Sequence, residues 1–349
     1  MTPRALRVAI DLEHTRQSRA GIARYTTGLL SAMRDVPDID LIGIGGGPLE
    51  KRGTFGKRLT TIRQDFWWYP HAGRSLAGSL GARVYHSPLP RGPITKSDLP
   101  TVITVHDLVP VHYPETTTPW SRLYGRLTFD RILGAASLVL TPSHYTADDL
   151  RRSLGINAER IRVVPNGVDE FFFGVAGDAP PVPRPFILFV GTPEPRKNLG
   201  RLAEAVHALR SRGRPETLVI AGSDGWGGID LAGSAVTMLG RVPDAMLRSL
   251  YAHASCLAIP SLHEGFGLPA VEAMAAGTPV VASDRGALRE VTGGAAVLVD
   301  PMDADAIASG IMEAIEDRER LSALGRVRAR SFTWSRSAEL LAQAYRELA

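Results

Sequence analysis

The sequence predicts an α/β protein of two doubly wound, Rossmann-like domains facing each other across a cleft. Three observations carry that expectation. Short runs rich in Val, Ile and Leu alternate with helical stretches along almost all of the 349 residues. Near-continuous apolar strands of that kind belong to parallel sheets covered by helices on both faces. The chain is also too long for one ordinary core, and a Gly- and Pro-rich stretch without apolar period interrupts it at 174–185.

In chain order, the strand candidates of the first half are 6–12 (LRVAIDL), 41–45, 84–87, 101–107 (TVITVHD), 138–143 and 161–166. Between the first two, Ile22, Tyr25, Leu29 and Met33 fall on one face of a helical stretch at 21–35. The second half repeats the pattern with strands at 186–192 (FILFVGT), 217–223, 235–242, 256–261 (CLAIPS), 279–284 and 296–300. A last helix is expected over 332–348, its apolar face on Leu340, Leu341, Ala344 and Leu348. The division that follows is a first domain over 1–173, a linker over 174–185, a second domain over 186–331 and the closing helix over 332–349. In sheets of this type ligands sit beyond the carboxyl ends of the strands, so the chemistry is sought there.

Bulk properties narrow the function. With 44% hydrophobic and 22% charged residues the composition is that of a globular protein, and no apolar run reaches the eighteen or so residues of a membrane span. The N-terminal MTPRALRVAIDL runs into Asp11 and Glu13 and does not read as a signal peptide. One cysteine, Cys256, leaves no internal disulfide and fits a reducing, cytoplasmic setting, where it reads as buried filler. Up to residue 175 there are 22 Lys+Arg against 16 Asp+Glu, and beyond it 18 against 20. A basic first half fits an anionic partner, either a phosphorylated acceptor or the inner face of a membrane met peripherally; a solvated arginine-rich surface is the other reading. No dense basic stripe with interleaved aromatics points to nucleic acid.

The densest polar signal follows CLAIPS. In HEGFGLPAVE, Glu264 and Glu272 flank a Gly-Phe-Gly-Leu-Pro turn, Pro269 suits the first turn of a helix, and Gly277 closes it. The N–H groups of Phe266, Gly267 and Leu268 would then lie at a helix N-terminus, a natural seat for phosphate or sugar oxygens. Gly265 and Gly267 would let backbone approach a ligand. Glu272 could accept from a ribose diol, and Glu264 would reach toward the sugar or phosphate. An ordinary strand–helix connection with an acidic pair is the alternative.

HEGFGLPAVEAMAAGTPVVASD resembles the glutamate-x7-glutamate signature of glycosyltransferase family 4. GTPEPRKNLGRLAEA (191–205), VPNGVD (164–169), TVHDLVPVHYPE (104–115) and AGIARYTTGLL (20–30) agree in the family's order, and TVHD with FWWYP looks most like its bacterial mannosyltransferase and rhamnosyltransferase branch. The resemblance implies the GT-B fold, with the last helix packing back on the first domain, and a retaining hexosyltransferase that works without a metal. No DxD cluster or His/Cys ligand spacing is seen, and no cofactor is expected beyond the nucleotide-sugar substrate.

The resemblance also implies roles. Arg196 and Lys197 would meet the donor diphosphate and stabilise its departure. His106 would lie beside the sugar ring, with Asp107 either positioning it or capping a turn. Gly21 resembles the family's glycine loop, although Arg19-Ala20-Gly21 stands where many members have Gly-Gly. Arg24 would meet an acceptor phosphate or solvent. Ser223 and Leu239-Gly240-Arg241-Val242 would surround the base, largely through backbone. The aromatic run Phe66, Trp67, Trp68 and Tyr69 is expected to pack in the core of the first domain, with lipid contact the other reading. GDP-mannose is the first choice of donor and a UDP-sugar the second, with a glycan or lipid-linked acceptor. The alternatives are a UDP- or dTDP-sugar transferase acting on a small-molecule or lipid acceptor, a phosphorylase or epimerase on the same architecture, and an inactive sugar-nucleotide-binding partner.

Overall fold

The computed structural model describes residues 5–16, 21–47, 60–117, 119–175, 177–223, 225 and 235–349. Arg19 and Ala20 of the expected glycine loop lie outside the described residues. Two compact units form. One comprises residues 1–110, 117–167 and 334–349; the other comprises 111–116 and 168–333.

Each strand candidate forms a strand: β1 (Leu6–Asp11), β2 (Ile39–Ile44), β3 (Val84–Ser87), β4 (Thr101–Thr104), β5 (Leu138–Thr141) and β6 (Ile161–Val163) in the first unit. The second unit holds β7 (Phe186–Val190), β8 (Thr217–Ala221), β9 (Val236–Met238), β10 (Cys256–Ile259), β11 (Val280–Ser283) and β12 (Val297–Val299). All described pairings are parallel, in the orders β2-β1-β3-β4-β5-β6 and β12-β11-β10-β7-β8-β9. Both sheets therefore reverse their winding once, beside β1 and β3 in the first and beside β7 and β10 in the second. Those are the points at which adjacent connections leave in opposite directions and open a crevice.

The central strands of the first sheet are buried at every position, and successive residues pack on opposite covered faces. Val102 packs with Tyr25, Leu29 and Met33 of helix Gly21–Met33 and with Trp334, Leu341 and Tyr345 of helix Trp334–Arg346. Ile103, its neighbour, packs with Ile132 and Leu133 of helix Pro119–Ala135 on the other face. The closing helix thus belongs to the first unit's core. It buries Trp334, Ala338 and Tyr345 besides the expected Leu341 and Ala344, while Leu340 and Leu348 lie at the margin of that face. Gly28 and Gly167 make the room Trp334 needs, since a Cβ on either would fall within 2.4 Å of it. In the second unit Ile187, Phe189, Leu218 and Ile220 form a core with helices Leu199–Ser211 and Ala304–Glu316. Cys256 is fully buried in that core, and burial pushes its thiol up to about 12, so it stays protonated and unreactive.

The aromatic run departs from expectation. It forms a π-helical segment, Gln64–Ala72, which buries Trp68 and Tyr69 but leaves Phe66 and Trp67 exposed. Successive residues of a helix point to different sides, so four consecutive rings cannot share one buried face.

Candidate functional site

In the second unit the winding reversal brings two strand ends together. Past β7 the chain enters a short 3-10 turn, Pro195–Lys197, which places Arg196 and Lys197 in adjacent positions. Past β10 it runs through Pro260–Gly267 to helix Leu268–Ala276. The two segments are tied by backbone, Leu262 N donating to Arg196 O at 2.8 Å. Lys197 Nζ lies 2.5 Å from Glu264 Oε1 and Arg196 Nη1 lies 3.5 Å from Glu264 Oε2. Arg196 Nε also donates to Glu194 Oε2 at 3.0 Å, and its Nη1 donates to His263 O at 3.3 Å. All three members of the cluster are largely shielded from water. Burial alone would push the Glu264 carboxyl up, but the Lys197 ammonium and then the Arg196 guanidinium outweigh it and hold the group at about 2. Two cations and two carboxylates, Glu194 and Glu264, make a charge-balanced, partly desolvated cluster whose cations a polyanion can engage.

Residues that sequence reasoning did not single out hold this geometry. Asn198 has φ 59°, the one positive-φ residue other than glycine among those described. Its Nδ2 donates to Pro260 O at 3.0 Å and Pro301 O at 2.6 Å, and its Oδ1 accepts from Arg201. It thereby pins the turn carrying Arg196 and Lys197 to the end of β10. Gly286 backs the Glu264 backbone so closely that a Cβ would lie within 2.9 Å of Glu264 N and O. The RKN tripeptide was a visible signal for Asn198; nothing local marked Gly286.

Helix Leu268–Ala276 begins as expected, with Pro269 in its first turn and Gly267 at φ 94° before it, and Gly277 at φ 81° closes it. Phe266 is buried against Phe332, ring centroids 5.4 Å apart, so it contributes backbone to the turn and its ring to packing. Glu272 is buried on this helix, and its Oε2 accepts from Tyr251 OH at 2.8 Å. Ser223 is exposed past β8 and exchanges a hydrogen bond with Thr192 past β7 (3.1 Å). Gly222 allows that approach, because a Cβ there would meet Gly191 O at 2.0 Å. Leu239, Gly240, Arg241 and Val242 follow β9, with Gly222 N donating to Gly240 O. The ends of β7, β8, β9 and β10 thus bring together Ser223, Arg241, Val242, Arg196, Lys197, Glu264, Gly267, Leu268 and Glu272 on one edge of one sheet.

The first unit is different in kind. His106 lies two residues past the end of β4, not in the strand, and is half-buried. Its Nε2 is 2.9 Å from Pro88 O, a carbonyl that can only accept, so Nε2 carries the proton and Nδ1 is the acceptor nitrogen. Tyr25 meets the imidazole edge-on at 4.9 Å. Burial lowers its pKa, against the smaller upward pulls of the Pro88 hydrogen bond and Asp107, so the ring is neutral at pH 7. Asp107 Oδ1 accepts from Val109 N at 3.1 Å, which makes it a turn cap. Behind His106, the buried His86 bonds Tyr345 OH and Thr104 Oγ1, and burial lowers it to about 3. His14 bonds Thr26 and is lowered to about 4, by burial and then by His106. Asp11, at the end of β1, accepts from Tyr85 OH (2.7 Å), Trp68 Nε1 (2.9 Å) and Glu13 N, yet burial still raises it to about 6. Gly21 opens helix Gly21–Met33, with no atom of the described residues within 4 Å of where a Cβ would be. Arg24, one turn on, is half-buried.

No group of three or more His, Cys, Asp or Glu is placed to hold a metal ion among the described residues, and no helix there is long and apolar enough to cross a membrane.

The family model described as "Glycosyltransferase Family 4" matches residues 20–170, and that described as "Glycosyl transferases group 1" matches 177–328. O-antigen chain mannosyltransferase B of Escherichia coli is 32% identical over 71% of this chain and 70% of its own length. O-antigen chain mannosyltransferase RfbU of Salmonella typhimurium is 26% identical over 86% and 89%. D-inositol 3-phosphate glycosyltransferase of Xylanimonas cellulosilytica is 32% identical over 71% and 66%. Among solved structures, sucrose-phosphate synthase of Thermosynechococcus elongatus superposes over 98% of both chains with TM-score 0.75 at 22% identity. Anabaena HepE in complex with UDP and glucose does so over 98% and 100% with TM-score 0.70 at 17% identity. At those identities the two structures speak for the fold.

Proposed function

The chain belongs to glycosyltransferase family 4, as a member like the bacterial mannosyltransferases with the GT-B fold, and from that premise we propose that it is a retaining, metal-independent hexosyltransferase. The donor read first is GDP-mannose, the acceptor a hydroxyl of a glycan or glycolipid. The mannosyltransferase relatives support mannose, while the inositol-phosphate glycosyltransferase relatives support a phosphorylated small-molecule acceptor as the second reading.

The observation that carries the proposal is the Arg196–Lys197–Glu264 cluster at the winding reversal of the second sheet. A donor diphosphate seated there meets a guanidinium fork, an ammonium and the N–H groups before helix Leu268–Ala276. As the anomeric bond loosens, charge grows on the departing diphosphate, and fixed cations stabilise that state more than the ground state. Arg196 and Lys197 supply the positive charge a divalent ion would otherwise bring. Glu264 stays ionised at neutral pH, so it accepts hydrogen bonds from donor hydroxyls and orients Lys197; it has no proton to give. A carboxylate already claimed by two cations is a poor nucleophile, which favours attack of the acceptor on the same face as the leaving group. Glu272 would take the ribose diol beside Tyr251, and the backbone around Ser223 and Gly240-Arg241-Val242 the base. In the first unit, His106 offers a neutral Nδ1 that accepts from a sugar or acceptor hydroxyl, with the Gly21 backbone beside the donor phosphate and Arg24 on the acceptor side.

A thermal-shift panel of GDP-mannose, UDP-glucose, UDP-N-acetylglucosamine and dTDP-rhamnose reads the donor, since a ligand raises the melting temperature by mass action. GDP-mannose is expected to give the largest shift and, with an accepted glycan, an α-linked product. A β-linked product from the α-linked donor would overturn retention, and a larger shift with another nucleotide would overturn the donor.

A further inference from the structure

The turn that carries Arg196 and Lys197 ends on a residue whose backbone alone would be better served by glycine. Asn198 sits at φ 59° and ψ 35°, in the left-handed region. Asparagine tolerates that region, but glycine fills it without steric cost. Glycine does so at Gly267 and Gly277, φ 94° and 81°, on either side of helix Leu268–Ala276. What asparagine adds at 198 is its carboxamide.

That carboxamide is buried and engaged at both ends. One Nδ2 hydrogen goes to Pro260 O, just past β10, at 3.0 Å; the other goes to Pro301 O, two residues past β12, at 2.6 Å. Oδ1 accepts from Arg201 Nη1 at 3.0 Å. Carbonyls only accept and a guanidinium only donates, so one amide orientation alone satisfies all three contacts. Backbone braces the same turn from within, Asn198 N to Pro195 O, and from the Glu264 loop, Leu262 N to Arg196 O. The side chain adds anchorage at two further strand ends.

We propose that the Asn198 carboxamide is a positioning group for the donor diphosphate, setting affinity for that part of the donor and not for its nucleoside. The proposal rests on the reading of Arg196 and Lys197 as the seat of the diphosphate. The amide spends its hydrogen bonds on Pro260, Pro301 and Arg201, so it acts through its two cationic neighbours in sequence. Arg196 and Lys197 are long, and they stabilise a growing charge only where their backbone is held. A misplacement of about 1 Å at such a site costs about a hundredfold in rate. The base and ribose would meet Ser223, Arg241, Val242 and Glu272 instead, which hang on other elements.

Calorimetric titration of GDP, GMP, UDP and UMP into wild type, Asn198→Gly and Asn198→Asp tests this. Glycine keeps the left-handed backbone and deletes the amide. Aspartate tolerates the same backbone and keeps an acceptor toward Arg201, but it aims a second acceptor at the two carbonyls. Both variants should bind the diphosphates about tenfold more weakly at unchanged monophosphate affinity, with kcat lowered as well. Arg201→Met, which removes the donor to Oδ1 from the next helix, covers the case in which both Asn198 variants fail to fold. It should weaken diphosphate binding in the same sense by about threefold. Folded Asn198→Gly with wild-type diphosphate affinity would overturn the proposal, as would a parallel loss of monophosphate and diphosphate affinity. So would an unchanged Arg201→Met where the Asn198 variants do not fold. A wild type that binds monophosphates and diphosphates equally would instead overturn the seat of the diphosphate, and this proposal with it.

Discussion

The carboxyl ends of the two sheets are alike in topology and opposite in chemistry. Where the second sheet reverses its winding, Arg196, Lys197, Glu194 and Glu264 form a charged, partly desolvated cluster. At the same place in the first sheet, His14, His86, His106, Thr26, Thr104 and Tyr25 form a network of neutral groups, beside the buried carboxyls of Asp11 and Glu13, the latter paired with Arg63. On the proposed reading, the same architecture takes a polyanion at the strand ends of the second sheet and hydroxyl groups at those of the first. The fold supplies the crevice; the residues past each strand end decide what enters it.

If the second unit depends on compensated charge, uncompensating it should be costly. Lys197→Met leaves a buried Glu264 with Arg196 alone and is expected to lower stability by about 3 kcal/mol. Adding Glu264→Gln removes the unpaired anion and should restore most of that loss without restoring transfer activity. Denaturation and steady-state kinetics on the two variants separate the roles, and a double variant as unstable as the single one would contradict the pairing.

The first unit should instead be sensitive to mild acid. His14 and His86 have folded pKa values below their ordinary value, at about 4 and about 3, so the unfolded chain binds more protons below pH 6.5 and stability falls on acidification. Asp11, raised to about 6, works the other way between pH 6 and its ordinary carboxylate value. Two histidines against one carboxyl leave a net loss of about 2 kcal/mol from pH 7 to pH 5. Glu264, held at about 2, keeps its contribution until the pH falls below about 4.5. Four of the five tryptophans, Trp67, Trp68, Trp120 and Trp334, lie in the first unit. Their fluorescence should therefore report a falling melting temperature over that range; a flat profile would break the contrast.

Tyr251→Phe removes one donor from buried Glu272, with an expected cost of about 1 kcal/mol and a raised donor KM at nearly unchanged kcat. An unchanged KM would detach Glu272 from the donor. The smallest stability effect should come from Gly21→Ala. No described atom crowds that position and its φ is not positive, so stability should stay within about 0.5 kcal/mol. Activity should nonetheless drop about tenfold if backbone approaches a substrate there. Wild-type activity would place Gly21 outside the site.

The sequence made the second unit's chemistry easier to read than the first's. Arg196-Lys197 and Glu264 each follow an apolar run recognisable as a buried strand, and Pro269 and Gly277 announce the helix between the glutamates and the next strand. The inner strands were visible for the same reason, since a run apolar on both faces has few other places to go, whereas the half-exposed edge strands β2 and β9 stood out only by their place in the alternation of strands and helices. The network around His106 was not legible, because His14, Thr26, His86, Thr104 and Tyr345 come from five separate elements and no local spacing links them. Phe66 and Trp67 differ in another way: the family resemblance implied a core for the aromatic run, but a helical turn cannot bury four consecutive rings. Tyr251 was missed because its role depends on packing against helix Leu268–Ala276.

The central claim is that a nucleoside diphosphate binds at the ends of β7 and β10 through Arg196 and Lys197. Calorimetric titration of GDP and UDP into wild type and into Arg196→Ala/Lys197→Ala tests it most directly. The account predicts that the wild type binds at least one nucleotide, and that the double variant, still folded by its melting curve, binds it about a hundredfold more weakly. Equal affinity for both proteins would contradict it.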